Sequence, residues 1–313
     1  MNKGGNLLKY YLAPMEGITT YIYRNIHKKY FKGVDKYFMP FVSPTMHGSF
    51  NPKEKKDILP EHNQNINVVP QILTNNADYF IQAAKELKDY GYKEVNLNLG
   101  CPSNTVVAKC KGSGFLSETY RLQKFLDAIF TKTEIDISIK TRIGRYDEEE
   151  FEELLHIFNY YKMKELMIHP RVQQDYYKNS IRMHVFLEAM EKSKNPLCYN
   201  GDIYIKEDYQ SLIEQCPKLQ NVMLGRGAVA NPNLFQEIQA GEPINMDIFW
   251  VFHDELYEEY QRTIGNNALY KMKELWIYMG NLFPDVDKIK KKIKKAQKKE
   301  DYQKWVEELR MIG

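Results

Sequence analysis

Eight short apolar or β-rich runs recur along the chain, and the gaps between them are long enough to hold a helix. The runs cover residues 10–15, 36–42, 67–73, 94–99, 136–141, 165–169, 196–200 and 221–224. Helical patterns, with apolar residues three and four apart, cover residues 77–90, 118–131, 148–161, 182–192 and 206–215. Strands that alternate with helices form a parallel sheet, and eight such units predict an α/β fold, a (β/α)₈ TIM barrel.

A doubly wound open sheet is the alternative architecture for the same alternation. That fold carries a G-x-G-x-x-G turn after its first strand. Here the first run leads into Pro14-Met15-Glu16-Gly17, which lacks the pattern. The turn therefore favours the barrel.

The strand signals stop at about Met246, and the rest of the chain has helical patterns rich in aromatic and charged residues. We expect a catalytic barrel over residues 1–243 and a separate all-helical domain over residues 244–313. Eight lysines and no acidic residue lie within residues 288–299. An apolar stripe on the same helix comprises Val286, Ile289, Ile293 and Ala296. This helix is either a solvated amphipathic helix or one that faces RNA.

Composition restricts the class of protein further. The net charge of +3 is too small to indicate a nucleic-acid-binding protein by itself, although local basic patches can still hold phosphates. No run of 18 apolar residues occurs, and Met1 to Asn6 lack the apolar segment of a signal peptide, so we expect a cytoplasmic protein with no membrane contact. Four cysteines without a C-x-x-C pair favour neither disulfides nor a metal site. A monomer is the default expectation.

Polar or charged residues stand at the C-terminal tips of seven of the eight predicted strands. In a parallel barrel the active site is built at that end. In chain order these candidates are Pro14, Met15 and Glu16, then Gln71, then Asn98 and Cys101, then Lys140 and Arg142, then His169, then Asn200, Gly201 and Asp202, and last Gly225 and Arg226.

Residues Asn96 to Pro102 place an amide and a thiol three residues apart, where the fourth predicted strand ends. Asn96 and Asn98 point to the same face of that strand, and a buried amide needs hydrogen-bond partners. Gly100, Cys101 and Pro102 then end the strand and leave one thiol near its tip. Cys101 is either a reactive group or simply a small buried residue.

The loops after the seventh and eighth strands predict a phosphate site, as in many barrels. Glycine lets the backbone approach a phosphate, and Arg226 adds a charge that can bind in a bidentate manner. A helix start at Ala230-Asn231-Pro232 would offer free N–H groups. The alternative is a turn glycine beside a solvent-exposed arginine.

Lys140 lies inside a strand of alternating apolar residues, where a lone charge is costly unless it is used. A cation beside the N1/C2 carbonyl edge of a flavin would stabilise the reduced anion. Gln71, Asn98 and His169 could bond the pyrimidine edge of the same ring. The alternative for Lys140 is an ion pair with a neighbouring carboxylate.

These residues together resemble the flavin-dependent tRNA-dihydrouridine synthase family along nearly the whole chain. The matching residues are Ala13 to Gly17, Arg24, Gln71, Asn96 to Pro102, Lys140 to Arg142, His169, Arg171, Asn200 to Asp202 and Leu224 to Ala228. The resemblance implies a barrel that holds FMN, a C-terminal helical RNA-binding domain, and reduction of the C5=C6 bond of particular uridines in tRNA at the expense of NADPH. It also implies that Lys271 and Lys273 lie in a region that contacts tRNA.

The chemistry expected of such an enzyme agrees with the residues. Hydride from the reduced flavin adds at C6 of uracil, and Cys101 donates a proton to C5, because a thiol of ordinary pKa is protonated at neutral pH. Asn98 would orient the uracil, which must be turned out of the RNA stack. Arg142 and Arg171 at the barrel mouth, with Lys271 and Lys273, are the predicted RNA contacts. Trp276 and Tyr278 are predicted core residues.

After His169 the family usually has Gly-Arg-Thr, whereas this chain has Pro170, Arg171 and Val172. Proline removes a backbone donor and valine lacks a hydroxyl, so a phosphate or RNA contact at this loop is in doubt. Three other functions stay open: a dihydrouridine synthase that acts on rRNA, an FMN-dependent barrel that reduces a small molecule, and a non-catalytic RNA-binding protein.

Overall fold

Eight parallel strands form a closed barrel in the computed structural model, which describes residues 8–46 and 50–312. The strands are β1 (Lys9–Leu12), β2 (Lys36–Phe38), β3 (Val68–Val69 and Gln71–Ile72), β4 (Glu94–Leu99), β5 (Asp136–Arg142), β6 (Leu166–His169), β7 (Leu197–Tyr199) and β8 (Asn221–Leu224). Each coincides with a predicted run to within a few residues. The barrel is therefore confirmed, and the doubly wound sheet is excluded.

The barrel closes at β1 and at β3. β1 pairs with β2 on one side and with β8 on the other, where Leu12 stands opposite Leu224. β3 is in two pieces because Pro70 between them has no N–H to donate. The first piece pairs with β2 and the second with β4, with Gln71 opposite Asn96, so the two pieces complete the ring.

Side chains alternate between the inside and the outside of the barrel, as the pleat of a strand requires. The inward-facing apolar side chains form a cluster of their own: Tyr11, Ala13, Phe38, Val69, Met167, Cys198 and Met223. Outward-facing residues such as Leu12, Ile139 and Leu224 belong to the larger core that packs under the helices. The interior also holds buried polar side chains, among them Gln71, Asn96 and Ser138.

Helices cover the outside of the barrel. Their bounds are Tyr21–Tyr30, Pro52–Ile58, Ala77–Asp89, Asn104–Val107, Thr119–Lys132, Glu150–Phe158, Met183–Lys192, Lys206–Gln215, Arg226–Ala230 and Leu234–Ala240. The five predicted helical patterns all lie on helices of this set. The helix after β8, in contrast, begins at Arg226 and ends where a helix start was expected, since the Asn231 N–H bonds back to the Gly227 carbonyl.

Four further helices follow: Met246–Ile264, Ala268–Met279, Asp287–Lys295 and Lys299–Arg310. The first of these packs on the barrel helix Tyr21–Tyr30, because Phe252 meets the rings of Tyr23 and Phe31 at 5.9 and 5.2 Å. On the lysine-rich helix, Ile289 and Ile293 are buried, as the apolar stripe predicts. That residues 244–313 act as a separate RNA-binding domain stays a prediction.

No helix within the described ranges is both long and apolar enough to cross a lipid bilayer. The same ranges contain no group of three or more His, Cys, Asp or Glu side chains that could hold a metal ion. Residues Met1 to Asn6, on which the expectation about a signal peptide rests, lie outside the described residues.

Candidate active site

A cavity of ≈ 190 Å³ opens at the C-terminal end of the barrel, as expected for a parallel barrel. Seven of the predicted site residues line it: Pro14, Met15, Glu16, Gln71, Asn98, Cys101 and Lys140. Other walls come from Ile18, Pro40, Phe41, Gly100, Pro102, Tyr177 and Tyr278. The structure therefore brings the predicted thiol, amides and ammonium group together around one cavity.

The Cys101 loop is held from two sides. The Asn98 side-chain oxygen accepts from the backbone N–H groups of Gly100 (3.0 Å) and Cys101 (2.9 Å). The Cys101 carbonyl accepts from both the hydroxyl (2.8 Å) and the backbone N–H (3.2 Å) of Ser113. Asn98 is thus the residue that ends β4 in a defined turn. The thiol is fixed at the edge of the cavity.

Burial raises the pKa of the Cys101 thiol, and the nearby Glu16 carboxylate raises it further. A backbone N–H from Ser103 and the charges of Arg142 and Lys140 act in the opposite direction without reversing the shift. The thiol is therefore protonated at neutral pH. A group that must donate a proton needs this state.

Two amides stand side by side in the cavity wall. The Asn98 Nδ2 donates to Gln71 Oε1 at 2.7 Å, and the Gln71 Nε2 donates to Asn96 Oδ1 at 2.7 Å. Each NH₂ group has a second N–H that these bonds do not use. Asn98 and Gln71 can therefore each donate to a ligand in the cavity.

The Lys140 ammonium has no hydrogen-bond or ion-pair partner among residues 8–46 and 50–312, so the expected alternative of a carboxylate partner is not realised there. Burial, with a contribution from the charge of Arg142, lowers its pKa to about 8. An unpaired cation in a cavity wall favours an electron-rich ligand, because such a ligand supplies the missing partner. This environment fits the pyrimidine edge of a flavin.

His169 ends β6 and is buried. Burial and the surrounding cations, with Arg142 first among them, hold its pKa well below the usual range, so the ring is neutral. Arg171 can only donate, and its Nη1 lies 3.3 Å from His169 Nε2. The proton of His169 must therefore be on Nδ1, which makes that atom a donor.

Arg142 does not present its charge to solvent, in contrast to the expected RNA contact. It is 2% exposed, and its three donor atoms bond to backbone carbonyls. These are Gly100 (3.0 Å), Val172 (2.8 Å) and Tyr176 (2.7 Å). Arg142 thus ties the loop after β4 to the loop after β6. An RNA phosphate could bind this guanidinium group only by displacing these bonds.

Arg171 is likewise buried, with its guanidinium group bound to the Asp202 carboxylate at 2.5 and 3.1 Å and to the Asn179 carbonyl. Arg226 pairs with the same carboxylate. Asp202 therefore neutralises two arginines that are candidates for binding a phosphate. Its own negative charge makes it an unsuitable contact for that phosphate. Of these two arginines, Arg226 is the more exposed.

The loops after β7 and β8 approach each other closely. A Cβ at Gly201 would overlap the Tyr199 ring, and one at Gly227 would overlap the Ile203 carbonyl, so both positions require glycine. Asn200 joins the two strands, since its Nδ2 donates to the Met223 carbonyl at 2.8 Å. Gly225 has only ordinary contacts and directly precedes the helix that begins at Arg226.

The two lysines expected to contact RNA are engaged within the protein. Lys271 Nζ donates to the Gly17 carbonyl at 2.7 Å and to Glu274, which attaches the helix Ala268–Met279 to the loop after β1. Lys273 Nζ donates to the Ala296 carbonyl at 2.8 Å. Both ammonium groups are half-buried and hold helices in place.

Two tyrosines that the sequence did not indicate as site residues also line the cavity. The Tyr177 ring is contacted by the guanidinium groups of Arg142 and Arg226, at 5.2 and 4.3 Å from its centroid. Tyr278 is half-buried, whereas Trp276 is fully buried as expected. Tyr177 follows a strand end, which is the signal that could have found it; the helical spacing of Tyr278 gives no such signal.

Other contacts hold the loop after His169 in place of the threonine hydroxyl. Val172 is buried, and its N–H donates to the Asp175 carboxylate at 3.1 Å. Asp175 also pairs with Arg182. The loop therefore has its own charged anchor, and the substitution at position 172 is accommodated by burial.

Comparisons with known proteins show which proteins this chain is similar to. A family model described as dihydrouridine synthase (Dus) matches residues 11–310. The tRNA-dihydrouridine synthase B of Pasteurella multocida is 27% identical over 233 residues, which cover 74% of this chain and 68% of that protein. A probable tRNA-dihydrouridine synthase of Staphylococcus epidermidis is 26% identical over 271 residues, covering 80% and 78%. The solved structure of morphinone reductase shares the fold, with a TM-score of 0.53 at 11% identity over 76% of this chain and 87% of that one.

Proposed function

The chain belongs to the dihydrouridine synthase family, and on this premise we propose that it reduces the C5=C6 bond of particular uridines in tRNA, with FMN as its cofactor and NADPH as the electron donor. One observation carries the proposal. A protonated thiol, Cys101, and an unpaired ammonium group, Lys140, line the same cavity at the mouth of a barrel.

The groups around the cavity support an electron-rich planar ligand, since they are hydrogen-bond donors. Lys140 offers an ammonium group, and Asn98 and Gln71 each have an unused N–H. His169 lies behind this wall, with its ring against Tyr177, and carries its proton on Nδ1. Carbonyl oxygens that accept such bonds occur both on the pyrimidine edge of a flavin and on uracil, and the oxidised flavin adds an accepting ring nitrogen. Pro14, Met15 and Glu16 would form the wall beside the ring.

The phosphate of FMN would lie at the loops after β7 and β8, against Asn200, Gly201, Gly225 and Arg226. Arg226 has a carboxylate partner in Asp202, and a phosphate would share or replace it. Asp202 then retains Arg171, to which it is bound by two hydrogen bonds. In this arrangement Asp202 orients the arginines and does not contact the phosphate.

Each side chain has a defined part in the proposed reaction. The reduced flavin, when bound, supplies hydride to C6 of uracil. Cys101 donates the proton that C5 requires, and Asn98 holds both the Cys101 loop and one carbonyl of the base. Lys140 and His169 stabilise negative charge by donation. Gln71 accepts one N–H of the Asn98 amide and so holds that side chain in place.

The uridine must leave its stack to reach this cavity, so the RNA backbone needs a basic surface outside it. Arg142, Arg171, Lys271 and Lys273 are committed to internal contacts. Residues 288–299, in contrast, present seven exposed lysines, and residues 244–313 would form the RNA-binding domain. Action on tRNA implies a cytoplasmic location, and a monomer is still the expected state.

The function is tested with purified protein, FMN, NADPH and unmodified transcripts of tRNA and of an rRNA fragment, with dihydrouridine measured by nucleoside mass spectrometry. We expect product in tRNA. Product in rRNA alone would show that rRNA, and not tRNA, is the substrate. NADPH oxidation by a flavin-loaded protein that modifies neither RNA would favour the small-molecule reductase. Protein without flavin binding or turnover would favour the non-catalytic alternative.

The close approach of Gly112 to Cys101 gives a further prediction. Gly112 has a φ of +55°, and a Cβ there would lie 2.8 Å from the Cys101 carbonyl oxygen and 3.1 Å from the Cys101 Cβ. We expect Gly112→Ala to shift the thiol and lower dihydrouridine formation about tenfold or more, since small misplacements are costly. The matched control is Gly91→Ala, at a φ of +95° with no atom within 4 Å, which carries backbone strain alone. Equal turnover of the two variants would contradict this role of Gly112.

A further inference from the structure

A continuous chain of buried hydrogen bonds runs inside the barrel and ends at the Cys101 loop. It begins where Lys36 Nζ pairs with Glu94 Oε2 at 2.8 Å. The Ser138 hydroxyl donates to Glu94 Oε1 at 2.6 Å, and Asn96 Nδ2 donates to that hydroxyl oxygen at 2.9 Å. The chain then continues through Gln71.

The last steps are the two amide contacts of the cavity wall. Gln71 Nε2 donates to Asn96 Oδ1, and Asn98 Nδ2 donates to Gln71 Oε1, both at 2.7 Å. Asn98 Oδ1 accepts from the backbone N–H groups of Gly100 and Cys101. Asn96, Gln71 and Ser138 are almost fully buried, so their polar groups depend on hydrogen-bond partners inside the protein.

The direction of the whole chain is set by its two ends. An ionised carboxylate only accepts, so Ser138 must donate to Glu94 and can accept only from Asn96. Backbone N–H groups only donate, so Asn98 must turn its oxygen toward the Cys101 loop. Both ends therefore require the same orientation of the three amides between them.

We propose that Glu94, Ser138 and Asn96 are positioning residues for the reaction, and that their buried chain fixes the direction in which Gln71 and Asn98 present N–H groups to the ligand. Glu94 and Asn98 are four residues apart in one strand, which is about 13 Å. Glu94 is not part of the cavity wall and acts only through the chain. This inference rests on the proposed function.

An isosteric substitution of Glu94 separates this role from simple stability. In Glu94→Gln the amide oxygen must face the Lys36 ammonium, which turns its NH₂ toward Ser138. The Ser138 hydroxyl then donates to Asn96, and the reversal passes to Gln71. It ends in a conflict at Asn98, whose oxygen the Cys101 loop requires.

The conflict disappears in the double variant Glu94→Gln/Lys36→Met, because the amide oxygen is then free to face Ser138. A matched control is Glu165→Gln. Glu165 is a second buried carboxylate, 4.0 Å from Lys36, and it does not bond to Ser138. A second probe of the chain is Ser138→Ala. It removes the link itself and leaves Asn96 with the weak acceptor Met167 Sδ.

The readouts are kcat and KM for tRNA at saturating flavin, the Kd for FMN, and the thermal midpoint. We expect Glu94→Gln and Ser138→Ala to lower kcat about tenfold and raise the Kd for FMN several-fold, with the KM for tRNA unchanged. The double variant should recover most of both losses, and Glu165→Gln should match the wild type. Single variants that lose only thermal stability, or a double variant that is no better than Glu94→Gln, would overturn the proposal.

The wild-type protein separates the two levels of inference. If it forms no dihydrouridine and binds no FMN, the proposed function is refuted, whatever the variants do. If it does both, and Glu94→Gln and Ser138→Ala equal it in kcat and Kd, the positioning chain alone is refuted.

Discussion

Replacing Cys101 with alanine is expected to lower dihydrouridine formation by about 10²- to 10⁴-fold, the usual contribution of a general acid. The variant should still bind FMN and oxidise NADPH, because Lys140, Gln71 and His169 are unchanged. The measurement is dihydrouridine formed per bound flavin in a single turnover. Cys101→Ser is the matched variant, since it retains the size of the side chain but has a much weaker acid. Turnover equal to wild type in either variant would remove Cys101 from the proton-donor role.

The pH dependence of the wild type provides a second check on Cys101. The active form is the protonated thiol, so activity is full below its pKa and falls as the pH rises through it. Because burial raises the pKa of this thiol, the fall should lie on the alkaline side of the ordinary thiol range. A loss of activity already between pH 6 and about 8 would contradict this assignment, since ~8.5 is the ordinary pKa of a thiol.

Replacing Lys140 with methionine is expected to weaken FMN binding by about 10- to 100-fold, since a hydrogen bond from a charged group contributes about 1.5–3 kcal/mol. The residue has no partner among the described part of the chain, so its loss should leave the fold intact. The Kd for FMN is measured by the change in flavin fluorescence. Unchanged affinity, together with an unchanged rate of flavin reduction, would return Lys140 to a purely structural role.

The pH dependence of FMN binding distinguishes the charge of Lys140 from its bulk. In the flavin-free protein the pKa of Lys140 is lowered to about 8, so the ammonium form is lost as the pH rises through that value. The Kd of the wild type should therefore rise above about pH 8. Lys140→Arg remains charged in that range and should not show the rise, and Lys140→Met should be weak at every pH.

The barrel was predictable because each strand has a local signature. Apolar and β-branched runs separated by helical spacing occur in the sequence itself, and all eight are strands in the structure. The break in β3 at Pro70 was not expected. Proline interrupts a strand only where a neighbouring strand needs its backbone N–H, and the sequence does not show where that is. The family resemblance, and with it an oxidoreductase of the dihydrouridine synthase family, is confirmed.

The partners of the charged residues were not predictable. Sequence places Arg142 at a strand end, which indicates a site residue, but its acceptors come from three positions on two other loops. The same holds for Lys271, whose acceptor at Gly17 is distant in the sequence. A pattern can place a cation at the mouth of a barrel, yet only the folded chain shows whether that cation is still free to bind a ligand.

The most direct test of the account is nucleoside mass spectrometry of tRNA and, separately, rRNA from cells that lack this gene and carry either the wild-type chain or Cys101→Ala. The account predicts that dihydrouridine in tRNA is lost without the gene, returns with the wild type and does not return with the variant. Dihydrouridine restored equally by both chains would contradict the central claim that this protein reduces uridine with Cys101 as its proton donor.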